Sequence, residues 1–200
     1  MTRRRTEKTE MTQMREMNEA TETKKSERLS TEQVQELYKE FNTPANVMGH
    51  CAAVTDCGLR IAKALNAKGY KLDLELIRAA GLAHDAARTM DRHWDVMADK
   101  LEAMGYEDEA AIVRVHMDPR EYSPVDRLTE TDIICLGDRL VKEDTYVGID
   151  ERFDYIIDKA RKYGVLNYDE IMANKDKMQQ LLDDIELIIG CSIDSLFNPS

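Results

Sequence analysis

Residues that turn or pleat a chain are scarce in this sequence. Its 200 residues include four prolines and nine glycines, and aromatics make up 6%. With so few strand and turn markers, an all-α fold is expected. The cysteines, Cys51, Cys57, Cys135 and Cys191, show neither C-x-x-C nor paired spacing, and they read as reduced, mostly buried thiols of a cytoplasmic protein. No apolar run reaches membrane-spanning length. Arg3-Arg4-Arg5 leads into Thr, Glu and Lys and not into an apolar region, so a secretory signal is not expected, and the glutamates argue against a transit peptide. Internal repeats, a Gly-rich phosphate loop and a G-x-S-x-G elbow are missing as well. Positive charge is also in short supply: 28 Lys and Arg stand against 39 Asp and Glu, a net charge of −11. Such a chain has no broad electrostatic reason to bind nucleic acid or anionic membranes. An anionic substrate would need local cations, such as metals, to hold it.

The length suits one compact domain with tails. Residues 1–29 form a mixed-charge Thr/Glu/Met segment in which Met11, Met14 and Met17 have near-helical spacing but little apolar surface around them, so a flexible tail is expected. Residues 30–165 are expected to form a helical core, and 166–200 a C-terminal helix packed on it. Ser30-Thr31-Glu32-Gln33 has the form of a capping box and opens a helix through Val34, Leu37, Tyr38 and Phe41. Thr43-Pro44 places a cap and a first-turn proline ahead of a helix reaching about Lys68, with Val47, Val54, Ile61 and Leu65 as its apolar stripe. Asp73 caps a third helix. A fourth starts at Asp91, a fifth covers Glu107–Met117 and is stopped by Pro119, and Asp118–Leu128 is a loop. Thr129-Glu130-Thr131-Asp132 is a second capping box ahead of the run Ile133–Val141. An amphipathic helix follows over Ile149–Tyr163. Asn167 caps a last helix, Tyr168–Ile189, after which the chain is expected to be loose.

The four histidines, His50, His84, His93 and His116, fall on or beside inward faces of these helices. His50 lies on the stripe between Val47 and Val54. His84-Asp85 ends the apolar run Leu76–Leu82. His93 sits in a first turn, and His116 shares a face with Ile112 and Val113. Asp138 points inward with Ile134 and Val141, which is costly for a carboxylate unless a cation or strong donors meet it. Lys142, four residues on, is one such partner and a metal is another. Imidazole nitrogens and carboxylate oxygens are ligands for divalent metals, and an aspartate can bridge two ions. Six such groups on five helices suit a metal-binding bundle core.

The order His50 … His84-Asp85 … Asp138 resembles the H…HD…D pattern of the HD superfamily of metal-dependent phosphohydrolases. Thr43-Pro44 with His50 looks like that family's first helix. Ala80-Gly81-Leu82-Ala83-His84-Asp85-Ala86-Ala87-Arg88 looks like its central signature. His93-Trp94-Asp95-Val96-Met97-Ala98 and Val113-Arg114-Val115-His116 resemble the extra histidine segments of dinuclear members, including diadenosine-tetraphosphate hydrolases. Leu136-Gly137-Asp138-Arg139-Leu140-Val141 and His116-Met117-Asp118 resemble segments of HD domains associated with molybdenum-cofactor nucleotidyltransferase-like proteins. The resemblance covers roughly residues 43–160. It departs from the family in a seven-residue spacing between Asp85 and His93, and in arginine at position 139 where lysine is usual.

The resemblance implies a single HD-domain helical bundle. His50, His84, Asp85 and Asp138 would hold one divalent ion, and Asp85 would bridge to a second held by His93 and His116. The ion or ions would be iron, manganese, cobalt, nickel or magnesium. The implied reaction is phosphohydrolysis of a nucleotide or small phosphorylated metabolite by metal-bound hydroxide, with Asp85 and Arg88 as catalytic residues and Arg88, Arg139 and Lys142 binding substrate. Two other readings stay open: a di-iron oxygenase of the same fold, and a non-catalytic module that binds a nucleotide or metal. Homo-oligomerisation also stays open.

Overall fold

The computed structural model describes residues 27–117 and 122–197. The expected tail, except for its last three residues, lies outside the described residues, as do Asp118 and Pro119. Among the described residues the chain is helical: α1 Thr31–Glu40, α2 Ala45–Asn66, α3 Leu74–Ala83, α4 His93–Ala103, α5 Glu107–Val115, α6 Glu130–Asp138, α7 Gly148–Lys162 and α8 Tyr168–Ile189. None of these helices is long and apolar enough to cross a membrane.

Local chemistry sets most of the boundaries. Ser30 and Thr129 both close reciprocal capping boxes, with Gln33 and Asp132, and Asp73 accepts from the amides of Glu75 and Leu76. Gly190, at φ 82°, ends α8 in the left-handed conformation. Thr43 behaves differently from expectation. It does not cap α2, whose N-terminal flank is Pro44 without a side-chain cap. Instead its hydroxyl donates to the Ala86 carbonyl at 2.5 Å, because folding places the turn after α3 directly against it.

Three further expectations change. The run Ile133–Val141 is not one helix: α6 stops at Asp138, and Val141–Lys142 pairs antiparallel with Thr145–Tyr146 as a small hairpin. The segment after α8 is not loose, since Ile193–Leu196 makes a short 3₁₀ turn whose Ile193 is buried in the core. A second 3₁₀ turn, Val125–Arg127, lies within the expected loop.

Two apolar clusters form the core. One joins α2, α3, α6, α7 and α8 through Val54, Ile61, Ile77, Ile134, Phe153 and Ile185. The other joins α1, α3, α4 and α5 through Val34, Leu37, Ala79, Met97, Leu101 and Val113. Helix α3 belongs to both, with Ile77 and Ala80 facing one cluster and Ala79 and Ala83 the other, while Glu75 and Arg78 pair on its outer side. The close approach of its neighbours depends on glycine. A Cβ at Gly81 would lie 2.6 Å from Thr55 Oγ1 and 3.3 Å from Thr55 Cα, and one at Gly137 would lie 3.1 Å from the Val54 carbonyl oxygen. Helices α3 and α6 are thereby drawn onto α2, which brings the ends carrying His84 and Asp138 towards His50.

Gly81→Ala should therefore overpack the α2–α3 crossing and cost about 1–3 kcal/mol of stability. Urea denaturation of the variant reads this directly, and an unchanged midpoint would show that the crossing has slack.

Candidate metal centre

His50 projects from the second turn of α2. His84 and Asp85 follow the last residue of α3, His93 begins α4, His116 follows α5, and Asp138 ends α6. Five helices thus deliver their functional side chains from their ends or their first two turns. His84, Asp85, His93, His116 and Asp138 are buried, and His50 is partly so.

Backbone carbonyls orient three of the imidazoles. Nδ1 of His50 lies 2.7 Å from the Glu143 carbonyl oxygen, that of His84 2.8 Å from Gly81, and that of His116 2.7 Å from Val113. A carbonyl can only accept, so Nδ1 carries a proton in all three; in the neutral ring Nε2 of His84 and His116 is left with a lone pair, while Nε2 of His50 faces Asp138 Oδ1 and donates to it when the ring is protonated. For His84 and His116 that Nε2 is buried without any hydrogen-bond partner. An orphaned buried acceptor costs about 1–3 kcal/mol. The same arrangement, with the far nitrogen held by a carbonyl and the near one bare, is how metal-ligating histidines are fixed.

Two donor groups result: His50, His84 and Asp85, and Asp85, His93 and His116, the donor atoms of each lying within 4.8 Å of one another. Asp85 belongs to both. Its Oδ1 lies 2.9 Å from His93 Nε2 and 3.3 Å from His116 Nε2, while Oδ2 faces His84 Nε2 at 3.9 Å. One carboxylate so placed can serve two ions, an oxygen to each. Burial raises the Asp85 pKa, but His84, the close His116 and His93 rings, and Arg88 outweigh it and hold the carboxyl far below the usual range. It is therefore ionised, as a ligand must be. Nitrogen and oxygen donors in this mixture fit divalent transition metals.

Asp138 enters neither donor group, and is one contact removed. Its Oδ1 lies 3.1 Å from His50 Nε2, and its other oxygen is bonded by Arg139. Arg152, from α7, approaches Oδ1 at 3.7 Å. Lys142, the sequence-based partner for Asp138, instead pairs with Glu151 at 2.9 Å, because the hairpin turns it away from α6. Burial raises the Asp138 pKa, but Arg139 and the His50 hydrogen bond bring it well below the usual value. In His50, desolvation is outweighed by the hydrogen bond and attraction of Asp138, so its pKa is raised.

Arg88 Nη1 lies 2.9 Å from His93 Nε2 and 3.5 Å from Asp85 Oδ1. A guanidinium thus sits against the second donor group. An ion bound there would require the arginine to swing away, and its side chain, 43% exposed, has room to do so.

Above the donors opens a cavity of 340 Å³ whose lining includes His50, Asp85, Arg88, Arg152, Tyr155 and Lys159. The last three escaped sequence reasoning. Their spacing, three and four residues apart on α7, is a helical stripe, but its polar character matches any solvated face. Two non-glycine residues in the left-handed region flank the site: Arg92, at φ 49°, precedes His93, and Glu143, at φ 57°, presents the carbonyl that holds His50. Strained backbone gathers where side chains must be aimed.

Residues 47–143 match the family model for the HD domain. All six candidate ligands lie within that span, whereas the α7 stripe lies beyond it. The chain is similar to an uncharacterized protein of Methanocaldococcus jannaschii, with 29% identity over 124 residues, covering 53% of this chain and 72% of the relative. No solved structure matches.

Metal analysis of the purified protein should find between one and two divalent ions per chain. His84→Ala should empty the first donor group, and His116→Ala should lower the content by about one ion, since each removes a ligand whose bare nitrogen has no other role. Full metal content in either variant would contradict this assignment. Stability should respond to pH in opposite directions with and without metal. The raised pKa of His50 gives the stripped chain a stabilisation that is complete below the unfolded value and lost as pH rises through the folded one. Metal binding needs the neutral ring and is favoured as pH rises. Melting curves of chelator-treated and metal-loaded protein between about pH 6 and pH 8.5 should therefore slope oppositely, and His50→Gln should flatten the slope of the stripped chain.

Proposed function

From the match of residues 47–143 to the HD-domain family model, we propose that this chain is a metal-dependent phosphohydrolase acting on a phosphomonoester or phosphoanhydride of a nucleotide or small phosphorylated metabolite. The observation that carries this reading is the pair of buried, unpartnered Nε2 atoms, on His84 and His116, either side of a carboxylate whose two oxygens face separate donor groups. The adjoining cavity adds Arg88, Arg152 and Lys159, the local cations that an anionic substrate needs in a chain of net charge −11.

Bound divalent ions would supply an activated water and neutralise charge on the phosphoryl oxygens. The chain's own residues do the remaining work. His50, His84, Asp85, His93 and His116 fix the donors on the ends of packed helices, so that little reorganisation accompanies reaction. Arg88, displaced from the second donor group, can turn its guanidinium to the phosphoryl oxygens in a two-pronged contact. Arg139 holds Asp138 ionised, and Asp138 in turn orients His50. The cavity walls limit solvent around the reacting group.

A phosphoester and nucleotide hydrolysis screen of the metal-loaded protein should show phosphate release that chelation removes and metal restores. His84→Ala should lower it to background. Release at the full rate by His84→Ala would overturn the reading, and an oxygen-dependent product without phosphate release would assign the centre to di-iron oxygenation.

A further inference from the structure

Outside the donor groups, the strongest unexplained feature is the cavity-lining stripe of α7. Tyr155 is approached by three cations. Lys159 Nζ lies 4.5 Å from the ring centroid, Lys142 Nζ 5.4 Å and Arg152 Cζ 5.6 Å. Lys142 is neutralised by Glu151. The others are not fully matched. Arg152 shares the Asp138 carboxylate, at 3.7 Å, with the closer Arg139 and with His50, and its Nε is buried with no partner. Among the described residues no carboxylate lies within ion-pair reach of Lys159. Cations gathered around one ring repel one another unless an anion lies between them.

Their order along α7 gives the site a direction. Arg152 stands next to Asp138 and so beside the donor groups, and Lys159 lies two helical turns further out, with the Tyr155 ring between them. We propose that Arg152, Tyr155 and Lys159 form a second anion subsite, and that the substrate is a small metabolite with two anionic groups: the scissile phosphoryl at the metal centre and a second phosphate or carboxylate held by Lys159. This rests on the phosphohydrolase reading for the first group only. The cavity volume of 340 Å³ is near the lower end of ligand pockets, about 300–1,000 Å³, and so favours a compact bis-anion over a dinucleoside polyphosphate. The subsite lies past residue 143, where the HD match ends.

The test uses the full metal-loaded chain with two probes that cannot be hydrolysed, a straight-chain alkane diphosphonate and the corresponding alkyl monophosphonate, followed by calorimetry. The diphosphonate should bind about tenfold more tightly, the scale of one charge-assisted hydrogen bond. Lys159→Gln should remove most of that preference and Lys159→Arg should keep it. In turnover, a hexose bisphosphate should be favoured over the monophosphate, with Lys159→Gln raising KM for the bisphosphate about tenfold and changing kcat less than twofold. Equal affinity for the two probes, or a preference that survives Lys159→Gln, overturns the subsite even if phosphate is released. A preference abolished by Lys159→Gln without any phosphate release upholds the subsite and removes the hydrolase reading instead.

Discussion

A carbonyl oxygen can accept a hydrogen bond but cannot donate one, and this asymmetry organises the centre. Gly81, Val113 and Glu143 each take the Nδ1–H of a histidine. Each such bond sets a ring orientation, and on His84 and His116 it leaves a buried Nε2 lone pair with no hydrogen-bond partner. A buried acceptor left bare opposes folding, and a cation at each of the two donor groups would meet these lone pairs, that of His84 in one and that of His116 in the other.

Helix packing makes the convergence possible. Gly81 and Gly137 remove the side chains that would hold α3 and α6 away from α2, and α3 turns apolar residues to both core clusters, so it can lie between them. Its C-terminal end then opens at the seam where α2, α4, α5 and α6 also end or begin. Functional groups placed on helix ends are reached by substrate from one side, while the helices behind them keep their geometry rigid.

Charge is distributed to match. The chain as a whole repels anions, yet its cavity gathers Arg88, Arg152 and Lys159 beside the donor groups. Such local inversion of sign focuses attraction on one cleft. Asp138 links the two regions, since it orients His50 on one side and restrains Arg139 and Arg152 on the other.

The sequence by itself determined what depends on neighbours along the chain: the capping boxes at Ser30 and Thr129, the helical periodicity, and the candidate ligands, which stood out because histidine or aspartate on an apolar face needs a reason. It did not contain distances. That Thr43 would bond across to Ala86 and not cap its own helix, that Lys142 would turn to Glu151, and that Arg152, Tyr155 and Lys159 would face the ligands were settled by packing between segments far apart in sequence. Those side chains are ordinary on any solvated helix, and only the position of α7 against the ends of α2 and α6 makes them a wall. Local preference acts over a few residues, whereas the arrangement of the centre arises from burial of two shared apolar cores, a property of the folded whole.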